Sequence, residues 1–147
     1  MKPEPAPVDV SRLVELARET MARAPFPMLA SVDGDRPRLR PVSPVGADGF
    51  TVYVASLRSS NKTLELQANP AVELCYLDEG HDQVRIAGTA EPVLDATTRQ
   101  TIWNRNPLLR AFLGTIENPE FVLYRIRPER VLFMREWALS YHQVPLA

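Results

Sequence analysis

Residues 71–77 alternate with a period of two. Val72, Leu74 and Tyr76 fall on one face, Glu73 and Cys75 on the other. This is the pattern of a strand with one side against a core, and the polar turn Asp78-Glu79-Gly80-His81 leads directly into another. There, over residues 83–94, Val84 and Ile86 oppose Arg85 and Ala87, and Gly88 in mid-run predicts a bulge or a close approach of another group. Further strands are expected at 28–32, 36–45 and 50–56, with a last pair at 121–126 and 131–137 around Pro128-Glu129. Pro37, Pro41 and Pro44 cannot donate ladder hydrogen bonds, so the 36–45 strand must lie at an edge, be bulged, or turn its backbone to a ligand.

Helices interrupt these runs without alternating regularly with them. Leu13, Leu16, Ala17, Thr20, Met21 and Ala24 form a helical stripe over residues 11–24, closed by Pro25 and Pro27. A second helix is expected over 60–68, a third after Asp95 as cap and a short fourth from Pro107. Such an order argues against a doubly wound parallel sheet and for a small antiparallel barrel or open sheet with helical covers, mainly β within the α+β class.

Length allows one domain: a Pro-rich, disordered lead-in at 1–10 and a single folded unit at 11–147 of the 147 residues. A net charge of −1 gives no drive toward nucleic acid or an anionic membrane. One cysteine excludes an intrachain disulfide, and His81 and His142 are too far apart in sequence for zinc-ligand spacing, so no metal is expected. Hydrolase elbows, P-loops and dinucleotide fingerprints are missing. With no apolar leader and no run of about 18 apolar residues, the expectation is a soluble, cytoplasmic protein.

One junction offers chemistry. The strand ending Val54-Ala55-Ser56 passes through Leu57-Arg58-Ser59-Ser60-Asn61-Lys62 into a helix. A helix N-terminus carries unpaired N–H groups and partial positive charge, which suits an anion. Lys62 in the first turn opposes that dipole unless something negative sits there, although an ordinary capped turn has the same composition. On the 36–45 strand, Arg38, Arg40 and Val42 share a face. The two guanidiniums could fork onto a phosphate, or simply protect a solvated edge. Gln83 could meet a planar heterocycle with its amide, or merely end a strand.

Together these pieces resemble the pyridoxamine 5′-phosphate oxidase-like family of flavin-binding split barrels, in its short, general-stress-protein type. The resemblance is carried by Leu29-Ala30-Ser31-Val32-Asp33-Gly34, Arg40-Pro41-Val42, Val54-Ala55-Ser56, Ser60-Asn61-Lys62, residues 66–74 and Val84-Arg85-Ile86-Ala87-Gly88-Thr89-Ala90. It implies a six-stranded antiparallel split β-barrel and a homodimer with FMN at the interface. It also implies FMN phosphate contacts from Arg40 and Lys62 beside Ser60 and Asn61. Ala55 and Ser56 would lie at a strand end near the cofactor, with Pro41, Val42 and Gln83 near the flavin ring. Val45 stands where the longer biosynthetic oxidase carries a lysine, and residues 131–147 lack that oxidase's arginine–histidine segment. The resemblance therefore implies a flavin-dependent oxidoreductase of some other small molecule, with no assigned catalytic side chain. Related alternatives are an F420-dependent reductase using Arg58, a heme-binding barrel using His81 or His142, and a non-catalytic flavin protein.

Overall fold

The computed structural model describes residues 1–146. After a 3-10 turn at Val10–Arg12, the order is α1 (Leu13–Arg23), β1 (Met28–Asp33), β2 (Arg36–Pro41), β3 (Gly46–Asp48), β4 (Thr51–Leu57) and α2 (Asn61–Ala68). There follow β5 (Ala71–Leu77), β6 (Gln83–Pro92), α3 (Ala96–Arg105), α4 (Pro107–Leu113), β7 (Phe121–Met134) and β8 (His142–Val144). All strands join one antiparallel sheet in the order β2-β1-β5-β6-β7-β4-β3, with β8 on β7. Six of the eight have six or more residues, and these are the strands of the expected split barrel; β3 and β8 are three-residue additions.

The sheet wraps one core. Leu29, Val52, Val54, Leu74, Ile86, Ile126 and Phe133 meet inside it, and α1 closes one end with Leu13, Leu16 and Ala17. Removing a side chain such as Leu74, which is fully buried, would cost about 2–5 kcal/mol in lost burial and cavity formation. A second cluster lies outside the barrel, where Ile102 and Trp103 of α3 cover Phe121 and Leu123 of β7. The Trp103 and Phe121 rings pack at 5.4 Å. Val8 also packs on the main core.

Two expected strands take a different form. The 36–45 strand divides: β2 ends at Pro41, and the chain crosses from one sheet edge to the other before β3 begins. Val42 N–H donates to Pro27 O at 2.9 Å and Val45 N–H to Tyr53 O at 2.8 Å, so residues 42–45 span the split between the β1 side and the β4 side. Pro41 and Pro44, with no N–H, punctuate that crossing. β2 itself is an edge strand, exposed along nearly its whole length.

The pair expected at 121–126 and 131–137 is instead one long strand. β7 pairs with β6 from Tyr124 to Met134, and Pro128 sits opposite Gly88 at the register shift between Ala87 and Gly88. A Cβ on Gly88 would lie 2.2 Å from the Arg127 carbonyl oxygen. The Gly–Pro apposition therefore makes a bulge that bends the ladder without reversing the chain.

Candidate functional site

At the junction of β4 and α2, Ser60 is the N-cap, extended at φ −76° and ψ 152°. Its hydroxyl accepts from Thr63 N–H at 3.3 Å, the usual means of satisfying a first-turn donor. Ser56, Ser60 and Thr63 form a compact hydroxyl cluster, with oxygens 2.7–3.1 Å apart, and Thr63 also donates to Leu57 O. These side chains therefore build the corner. The backbone N–H groups of Asn61 and Lys62 make no hydrogen bond among the described residues and remain available at the helix start.

Lys62 points back along β4, donating to Ala55 O at 3.3 Å. It has no acidic partner among the described residues. Burial, and then the nearby Arg40 guanidinium, push its pKa below the ordinary lysine range. The Arg40 guanidinium is thus near enough to raise the cost of charging Lys62, and an anion bound beside Lys62 would relieve it.

Arg40 is held in place rather than free. One nitrogen donates to Ser31 Oγ at 2.7 Å and reaches Leu29 O at 3.4 Å; the other donates to Glu65 Oε1 at 2.5 Å. The Glu65 oxygen also accepts from Ser31 at 2.5 Å. The Ser31 hydroxyl foremost, helped by Arg40, keeps this buried carboxyl below the usual carboxylate range despite its desolvation. A cleft of about 590 Å³ opens here, bounded by Arg38, Arg40, Asn61, Leu64 and Glu65, a size within the ordinary small-molecule range of roughly 300–1,000 Å³.

The junction thus brings together Arg40, Ala55, Ser56, Ser60, Asn61 and Lys62. Pro41 ends β2 beside them, while the Val42 side chain is buried in the core and leaves only its backbone near the edge. Gln83 lies elsewhere, at the start of β6 opposite Met134, where its amide oxygen accepts from Tyr141. Arg38 pairs with Asp33 at 3.0 Å; Arg58 donates to Pro119 O at 2.7 Å, which turns its guanidinium toward the 119–120 segment but leaves its charge without an ion-pair partner among the described residues. Ser31 and Glu65 escaped sequence reasoning. The one legible sign was Glu65, an acid between Leu64 and Leu66 three residues after a lysine, and only the fold turns it toward β2.

His81 pairs with Glu136 at 2.8 Å, and no group of three potential metal ligands occurs among the described residues. No helix among them is long and apolar enough to cross a membrane.

Comparison with known proteins gives this geometry a family. A model of the family described as pyridoxamine 5′-phosphate oxidase matches residues 13–135. General stress protein 26 of Bacillus subtilis is 31% identical over 110 residues, covering 72% of this chain and 76% of that protein. Among solved structures, a Clostridium acetobutylicum protein related to general stress protein 26 superposes with a TM-score of 0.77 at 16% identity, covering 95% of this chain and 97% of its own. A pyridoxamine 5′-phosphate oxidase-related, FMN binding protein of Nostoc punctiforme superposes at 0.71 and 18% identity, covering 88% and 86%. At these identities the superpositions speak for the split-barrel fold alone. The family match and the stress-protein relative go further: the chain belongs to the pyridoxamine 5′-phosphate oxidase family.

Proposed function

We propose that this protein binds FMN at the β4–α2 junction and is a flavin-dependent oxidoreductase acting on a small molecule other than pyridoxamine phosphate. One observation carries the reading: Lys62, half-buried, without an acid and within the field of Arg40, stands at a helix start with two open N–H donors. A phosphate monoester fits that donor set, being dianionic, compact and rich in acceptors. Attraction between close unit charges near a surface is about 4 kcal/mol per pair at intermediate dielectric, and two such pairs outweigh the single repulsion from Glu65. The FMN binding protein from Nostoc shows that this split-barrel fold can carry the same cofactor.

In this reading Arg40 and Lys62 clasp the phosphate and the N–H groups of Asn61 and Lys62 complete its shell. The end of β4, at Ala55 and Ser56, receives the start of the flavin. Ser31 and Glu65 hold the Arg40 fork in the plane it needs. Bound FMN would supply the redox chemistry, while this chain binds, orients and shields it. The family's homodimer, with the second copy completing the cofactor cleft through its own Gln83, belongs to the same proposal.

A visible absorption spectrum of the purified protein tests the cofactor. Flavin bands restored by micromolar FMN are expected. A Soret band would point to heme, a deazaflavin spectrum to F420, and a colourless protein that takes up no FMN would end the reading. Activity is tested by anaerobic reduction of the loaded protein across NADH, NADPH and reduced deazaflavin. Sedimentation of the loaded protein tests the dimer.

A further inference from the structure

Separate from the Arg40–Glu65 cleft, α1 packs over β5, β6 and β8 and leaves a cavity of about 370 Å³ beneath its C-terminal half. Its walls are largely apolar: Met21, Ala22 and Pro25 on the α1 side, Pro44 on the crossing segment. It shares no residue with the cleft at Arg40 and Glu65. Two polar side chains border it, and neither has a protein partner among the described residues. Tyr76 lies on the core face of β5 and is only 4% exposed, yet its hydroxyl makes no hydrogen bond among the described residues. The hydroxyl is the open end of an otherwise buried side chain, so it presents a donor to the cavity that a ligand acceptor can engage. Arg18 lines the same cavity from the exposed side of α1 and forms neither an ion pair nor a hydrogen bond among the described residues. Burial pushes the Tyr76 phenol well above its ordinary range, so at neutral pH it donates as a neutral group.

We propose that this cavity is a second small-molecule site, for a compact aromatic carboxylate bearing a hydrogen-bond acceptor at the end opposite its carboxylate. The ring fills the space between Met21, Pro25 and Pro44. The carboxylate meets the Arg18 fork at the mouth, and the far acceptor takes the Tyr76 proton donor at the floor. A molecule charged at both ends would strand one charge on the apolar wall; a wholly apolar one would leave Tyr76 unpaired. The class of ligand thus follows from one cation outside, one neutral donor inside and apolar walls between.

The test uses the full-length protein, with and without saturating FMN, and three probes: 4-hydroxybenzoate, benzoate and 4-hydroxybenzamide. Calorimetry gives the affinity, and amide NMR shifts locate it. The expected result is saturable binding of 4-hydroxybenzoate, unaffected by FMN, with shifts at residues 18–25 and 76. Tyr76→Phe should weaken 4-hydroxybenzoate about fivefold while sparing benzoate, the effect of one neutral hydrogen bond. Arg18→Gln should weaken both carboxylates about tenfold and leave the amide unchanged. No saturable binding, displacement by FMN, or affinities indifferent to both substitutions would overturn the proposal.

Discussion

At the α2 junction Lys62 has no acid, and Arg40 shares its single carboxylate with Ser31. On the β5–β6 face, Arg85 donates to Glu73 at 2.6 Å and lies 5.3 Å above the Tyr141 ring. Both regions place cations on half-buried strand or helix faces, and composition does not separate them. What separates them is the charge left after internal pairing. Around Arg85 it is close to zero; around Arg40, Lys62 and Glu65 it is positive. That residue of charge, at a helix start with open donors, is what recommends the junction as an anion site.

The largest effect is expected at Arg40. Arg40→Ala should weaken FMN roughly a hundredfold and lower the unfolding free energy by about 1–3 kcal/mol, because Glu65 then loses its cation. Titration and urea denaturation measure the two effects. A large loss of FMN with unchanged stability would mean that the Glu65 pairing has been misjudged.

Lys62→Ala should also weaken FMN, by roughly ten- to a hundredfold, while riboflavin, lacking the phosphate, changes much less. Equal losses for both ligands would contradict the phosphate assignment. Stability should move the other way from Arg40→Ala. The folded state depresses the Lys62 pKa, so between the folded and unfolded values the unfolded chain holds more protons, and stability rises with pH across that window. Replacing Lys62 should remove that rise and leave the FMN-free protein at least as stable near neutrality, as read from melting curves in alkaline buffers.

A smaller effect is expected at Glu65. Its folded pKa is depressed, so it adds stability above its unfolded pKa and loses it as pH falls through the folded value. Glu65→Gln should flatten this acid limb, and an unchanged acid denaturation profile would argue that Ser31 and Arg40 do not hold the ionised form. The smallest effect belongs to the satisfied region. Arg85→Ala should leave FMN affinity within about twofold and cost about 0–1 kcal/mol, since its pair with Glu73 is about one-third exposed.

Much of the fold was legible because local rules act there without competition. The alternation over β5 and β6, the Asp95 cap that accepts from Thr98 N–H at 2.8 Å, and the bulge at Gly88 all stand as the residues suggested. Two elements depart from expectation for one reason: a proline's local chemistry does not decide whether its strand stops, continues or changes partner. Pro128 looked like a turn, yet β6 runs beside it and Gly88 makes room, so the strand continues. Pro41 and Pro44 looked like interruptions within one strand, yet the hydrogen bonds of Val42 and Val45 go to different sides of the barrel. Local chemistry states which donors are missing; it does not state which neighbour lies opposite.

At the candidate site the division is similar. Ser60 as cap and Lys62 in the first turn follow from the residues themselves, because a helix start and its dipole are local facts. Ser31 and Glu65 are distant from Arg40 by 9 and 25 positions, and their bonds to it exist only once β1, β2 and α2 are packed.

From the residues alone come the strand faces, the helix starts and a cationic junction, each set by backbone geometry over a few positions. Packing alone decided which cations were neutralised and which were not, since pairing needs contact between segments far apart in the chain. It also set the Tyr76 hydroxyl beside a cavity under α1, because the floor and roof of that space come from elements some fifty residues apart.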